Sequence, residues 1–236
     1  MSNFSSFKHT VGQITILSGI VAFISYFLVA AGVNFNFDFF SDPSLIFSME
    51  GVQVGLLRWS MIADVFGYYL LLLPALYFVH GWLDSKTMWR QVLTFCGTSY
   101  ILLGATGASI LAVLWPWYLE AYLGAAPEQQ AIIRWLFESF TQVVYGGLWN
   151  LLDSFVAGVW FVGIGIFIRL EHRFLGWLTL VVGVCSLLDF LGGVLQIRAI
   201  AETGLNLYLV LAPLWALILG WAIRNDKQFQ SKTIAS

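Results

Sequence analysis

Charge is what this sequence has least of. Only 10% of its 236 residues are Asp, Glu, Lys or Arg, against roughly 25% in soluble globular domains. So little charge cannot furnish a water-facing surface, and the mean hydropathy of +0.82 and 59% hydrophobic content point to lipid as the solvent. The net charge of −2 leaves no basic patch to neutralise phosphates, which excludes a nucleic-acid partner. Cysteine is scarce too. Cys96 and Cys185 stand far apart in apolar runs, which excludes a disulfide framework and a paired-cysteine metal site. The three histidines, His9, His80 and His172, never share a helix, so a membrane haem held by facing histidines is not expected. There is no Gly-rich phosphate loop, no GxSxG elbow and no HExxH. No catalytic residue is assigned, no metal site is assigned, and the cofactor is left open.

What is present is apolar length. A spanning helix needs about 20 mostly apolar residues, and six runs qualify: 11–33, 59–82, 91–118, 143–168, 174–197 and 205–223. In hydrocarbon each backbone polar group must be satisfied within its own segment, which makes these runs helices. The expectation is an all-α, polytopic bundle of six spans forming one membrane domain over residues 1–236. Lys8 and VAAG at 29–32 have the flavour of a secretory signal, but the apolar run is too long for one. The first run therefore reads as a retained helix.

Basic residues orient the bundle. Lys8, Lys86, Arg90, Arg169, Arg173, Arg224, Lys227 and Lys232 fall on one side, and Arg58, Arg134 and Arg198 on the other. The richer side is the cytoplasmic one and holds both termini. Asp38, Asp42, Glu50, Glu120, Glu128 and Glu202 then lie outside. The outer loop 34–56 carries Phe35, Phe37, Phe39 and Phe40 within 34–47 and should rest at the membrane interface. Residues 127–142, opened by Pro127 and Glu128, read as an amphipathic outer helix feeding the fourth span. Its stripe is Ile133, Phe137, Phe140 and, just beyond, Val144, opposite Arg134, Glu138 and Thr141. One long helix projecting outward is the alternative.

Three carboxylates interrupt the spans: Asp64, Asp153 and Asp189. An acid at the bilayer centre costs roughly 2.5–3.5 kcal/mol on insertion scales, so each is a candidate for function. All three fall in the outer half, where they could share a polar cavity with Asn150, Tyr145, Ser154, Arg58 or Arg198. The bland alternative is that each only bonds a neighbouring Ser, Thr, Trp or Tyr to fix helix packing. IADVFG at 62–67 and LLDFLG at 187–192 echo one another in spans of opposite direction, as an inverted repeat would. Pro74 and Pro213 interrupt two spans. GATGAS at 104–109 reads as helix packing.

The stretches LLRWSMIAD at 56–64, ALY at 75–77 and GWLTLVVGV at 176–184 resemble a family of small bacterial six-helix membrane proteins known only as a domain of unknown function. That resemblance implies a polytopic fold and supplies no catalytic residues. It suggests the bacterial plasma membrane, or an internal one, as the location. Two functions stand open. One is binding or transport of a small molecule, ion or lipid through the outward cavity bounded by Asp64, Asp153, Asp189, Asn150 and Arg58. The other is a non-catalytic assembly or stress-related partner that docks another protein through the outer loop and helix. Membrane lipids, and a small apolar ligand or a protein, are the expected partners.

Overall fold

Six helical stretches of the computed structural model are long and apolar enough to cross a membrane. It describes residues 2–225 apart from 41 and 85. Lys227 and Lys232 lie outside the described residues, as do the side chains of Phe37 and Phe40. The stretches are Ser6–Gly32, Val54–Leu83, Arg90–Gly124, Pro127–Glu171, Arg173–Val194 and Arg198–Asn225. Each overlaps one expected span, and no strand occurs among the described residues. The helices are α1 (Ser2–Gly32), α2 (Val54–Asp64), α3 (Leu73–Leu83), α4 (Arg90–Gly124), α5 (Pro127–Gln142), α6 (Ser154–Glu171), α7 (Arg173–Val194) and α8 (Arg198–Asn225).

The bounds differ from the expected ones where backbone hydrogen bonding outweighs hydropathy. Helix α8 starts seven residues early, at Arg198, which pairs with Glu202 on its first turn. Helix α4 runs on to Gly124 through Pro116, which has no amide to complete the ladder at that turn. Helix α7 ends at Val194, where Gln196 takes a left-handed turn (φ 56°).

The spans close a ring in chain order. Helix α1 packs on α2, α2 on α4, α4 on α6, α6 on α7, α7 on α8, and α8 returns to α1. The closing contact is a backbone-to-backbone crossing. A Cβ on Gly12 would lie 2.6 Å from the Gly220 carbonyl, and one on Gly220 would lie 2.6 Å from the Gly12 carbonyl. Small residues permit that approach without the side-chain entropy cost of larger ones.

Two spans are not regular helices. After Asp64 the chain widens into a π-helical turn, Val65–Tyr69, and tightens to a 3₁₀ turn at Leu70–Leu72 before α3. Between α5 and α6 lies an eleven-residue π-helix, Val143–Asp153. Irregular backbone at this depth survives only when its polar groups find other partners. Ser25 donates to the Ser60 carbonyl at 2.9 Å, Ser18 to the Gly67 carbonyl, and Tyr100 to the Tyr68 carbonyl at 2.9 Å. Pro74 sits in the first turn of α3, where its missing amide is not needed. Pro213 lies inside α8 and frees the carbonyl four residues back. The Tyr68 hydroxyl donates to that Leu209 carbonyl at 2.6 Å.

Two apolar cores result. One centres on Trp160, Trp215, Phe161 and Tyr100. The other, toward the end that carries α5 and the 34–53 segment, centres on Trp115, Phe137, Phe39 and Leu57. The aromatic segment folds into this second core. Phe39 meets Trp115 at 5.4 Å between ring centres, and Phe47 meets Phe137 at 4.9 Å. The buried stripe of α5 differs from the expected one. Phe140 is exposed (46%) and Thr141, assigned to the polar face, is buried (3%) and accepts a hydrogen bond from Trp115 Nε1 at 3.1 Å. A partner on α4 for the threonine hydroxyl decides the rotation of the helix.

Candidate functional site

Between the two cores lies a cavity to which five of the six spans contribute. Ser25, Tyr26 and Val29 come from α1, and Met61 and Asp64 from α2. Tyr68 and Tyr69 come from the first π turn, and Tyr145, Trp149, Asn150 and Asp153 from the long π-helix. Ser154, Ser186 and Asp189 follow from α6 and α7, with Leu205, Tyr208 and Leu209 from α8. The space open to the centres of water molecules is about 80 Å³. One water needs roughly 10–15 Å³ on that measure, so there is room for several waters or one small solute.

Asp64, Asp153, Asp189 and Asn150 all line this cavity, as do Tyr145 and Ser154. Arg58 does not. It is exposed on α2, six residues before Asp64, which is about 240° around a helix of 3.6 residues per turn. Arg198 is exposed and paired with Glu202. Among the described residues no Lys, Arg or His lines the cavity.

Backbone irregularity places two of the acids. Asp64 is the last residue before the first π turn, and Asp153 the last residue of the long one. Such wide turns are rare and recur at functional sites. Asp189 stands on regular helix. It meets Asp64, its counterpart in the echo between IADVFG and LLDFLG, at the same cavity.

The three carboxylates differ in their partners. Ser25 Oγ lies 3.4 Å from Asp64 Oδ1. Ser154 Oγ donates to Asp189 Oδ2 at 2.7 Å, and Ser186 Oγ donates to the Ser154 carbonyl at 2.9 Å. Asp153 and Asp189 are only 6% and 3% exposed, and Oδ1 of each has no hydrogen-bond partner among the described residues. Buried acceptors are nearly always paired, so two orphans on residues of one cavity wall are exceptions that a water or an ion beside them would resolve. Among the described residues no group of three or more His, Cys, Asp or Glu is arranged to hold a metal ion. The acids therefore surround a space rather than converge on a point.

The aromatic wall has its own seats. A Cβ on Gly104 would lie 1.8 Å from the Tyr69 ring, and one on Gly107 would lie 2.4 Å from Trp149 Nε1. GATGAS thus holds two cavity-lining rings against α4, a more specific role than packing helix on helix. Trp149 Nε1 also donates to the Gly104 carbonyl at 3.3 Å.

Ser25, Tyr26, Tyr68, Tyr69, Trp149, Ser186 and Tyr208 were not singled out from sequence. Two signals existed. Tyr68 follows Asp64 by four residues, and Tyr145, Trp149 and Asp153 repeat at intervals of four, which sets them on one face of a wide helix. Ser25 and Tyr208 lie in spans without charge and carried no signal. No family model, curated protein or solved structure matches the chain.

Proposed function

We propose that this integral membrane protein binds a small cation in the cavity between its two cores and passes it across, or senses it within, the outer half of the bilayer. The unpaired Oδ1 atoms of buried Asp153 and Asp189 carry this reading. Two acceptors with negative charge available to them, in a wall that holds no basic side chain among the described residues, attract a positive guest and repel an anion. The eight-to-three split of basic residues supports cytoplasmic termini. With that orientation the cavity, the 34–56 loop and α5 lie toward the outside. Exposed Ile132, Trp135 and Phe140 on α5 support its contact with the membrane interface.

The test is calorimetric titration of the purified, full-length protein in lipid nanodiscs with a panel of inorganic and organic monovalent cations. At least one cation should bind saturably, and Asp153→Asn and Asp189→Asn should each abolish that binding while the protein remains monodisperse. Cation binding that survives both substitutions would sink the proposal, as would an empty panel.

A further inference from the structure

Resting on the cation-binding reading, we infer that the guest is a small organic ammonium ion, a primary or methylated amine of a few heavy atoms, and not a metal ion. The first argument is an inventory of donors. Of the polar groups around the cavity, the hydroxyls of Ser25, Ser154 and Ser186 donate to protein oxygens. The Tyr68 hydroxyl donates to the Leu209 carbonyl, and Tyr208 donates to Tyr100 Oη at 2.8 Å. Trp149 Nε1 donates to Gly104. Oδ1 of Asp153 and of Asp189 remains without a partner among the described residues, while the hydroxyls of Tyr26, Tyr69 and Tyr145 and the amide of Asn150 complete the polar lining. A guest that supplies N–H donors and positive charge together satisfies those two oxygens, whereas a neutral acceptor or an anion leaves them unpaired.

The second argument is the wall's chemistry. Divalent metal cations take six or more oxygens, carboxylates prominent among them, and among the described residues no group of three or more His, Cys, Asp or Glu is arranged to hold one. Six aromatic side chains line the same space, among them Tyr69 and Trp149 in their glycine seats. Tyr145 and Trp149 stand 5.0 Å apart between ring centres. A wall this rich in rings attracts an ammonium ion by cation–π contact, which offsets part of the hydration the ion loses on entry. The cavity's size agrees, since the room for several waters matches a methylamine or ethylamine skeleton.

The experiment titrates nanodisc-embedded, full-length protein with methylammonium, ethylammonium, sodium, potassium, calcium and acetate at constant ionic strength. Trp149→Leu and Tyr145→Leu are run beside the wild type, so that one misfolded variant does not decide the matter. Saturable binding of methylammonium or ethylammonium, at least tenfold tighter than sodium or potassium and weakened at least fivefold in a folded aromatic variant, is the expected result. Metal-ion binding with no preference for the ammonium ions overturns the inference and leaves the cation reading standing. Ammonium binding that neither aromatic variant weakens overturns the inference likewise. Acetate binding, or no binding at all, defeats the cation reading and the inference with it.

Discussion

Asp153→Asn should make the protein more stable and functionally inert. The carboxyl is 6% exposed, its Oδ1 has no partner among the described residues, and it stands at the end of a π-helix within a span. An unpaired buried polar group costs about 1–3 kcal/mol, and a charged one costs more. A full charge at the bilayer centre costs roughly 2.5–3.5 kcal/mol on insertion scales, a figure that water in the cavity reduces. Asparagine keeps the shape and one carbonyl acceptor but removes the charge, so about 1–2 kcal/mol should be regained. For a chain of this size each kcal/mol moves the melting temperature by roughly 2–4 °C. Thermal unfolding of detergent-solubilised protein without added amines should therefore show a rise of about 2–8 °C, and calorimetry should show loss of cation binding. The two effects should appear together. If the variant melts lower and still binds, Asp153 is a structural residue with a partner that its neighbours supply, and the cavity is not built around it.

Ser154→Ala removes the donor to Asp189 Oδ2 and leaves a 3% exposed carboxylate with neither oxygen paired; chemical unfolding should show a loss of about 1–3 kcal/mol. Tyr68→Phe strands the Leu209 carbonyl that Pro213 frees. It should cost about 1–2 kcal/mol alone and less in the Pro213→Ala background, where a backbone amide returns, and a double-mutant cycle of melting curves reads the coupling. Gly104→Ala puts a methyl 1.8 Å from the Tyr69 ring. The displaced ring should lower stability by about 1–3 kcal/mol and weaken cation binding, which calorimetry follows. Phe137→Ala empties a fully buried site between Trp115, Tyr118 and Phe47. A loss of about 3–5 kcal/mol should appear as lost hydrogen-exchange protection in α5 and in residues 43–48, ahead of the membrane core.

What the sequence made legible follows from how strongly a residue type violates its surroundings. A carboxylate in twenty apolar residues stands out because hydrocarbon penalises it, so Asp64, Asp153 and Asp189 were found individually. Their assembly on one cavity was also foreseeable from depth, since rise per residue fixes height along each span. Height says nothing about azimuth. Arg58 was grouped with Asp64 because it stands at a similar height, and it fails because six residues turn the helix to another side. The aromatic wall was hidden for a different reason. Tyr and Trp serve equally in cores, in interfacial belts and around cavities, so Tyr69 and Trp149 become distinctive only when Gly104 and Gly107 are seen beneath them.

The π-helices were the least legible feature and do most to shape the site. No residue type marks them, and Val143–Asp153 reads as ordinary spanning helix by hydropathy. Their origin lies in the partners that neighbouring spans offer. Around the first, Ser18, Ser25 and Tyr100 each supply a donor to a main-chain carbonyl of the second span. Those donors belong to α1 and α4, so the irregularity exists only when the ring is assembled. The carboxylates follow the same logic. Asp64 and Asp153 sit at the borders of the widened turns, where an altered number of residues per turn rotates the next face relative to the last. A regular helix through 54–83 would keep Asp64, Tyr68, Leu72 and Leu76, each four residues apart, near one face, but would turn Tyr69 about 140° away from Asp64, and the widened turn brings Tyr69 to the same space. The wide turn thus adds Tyr69 to the wall that Asp64 and Tyr68 already share, without moving Leu72 and Leu76 off the core.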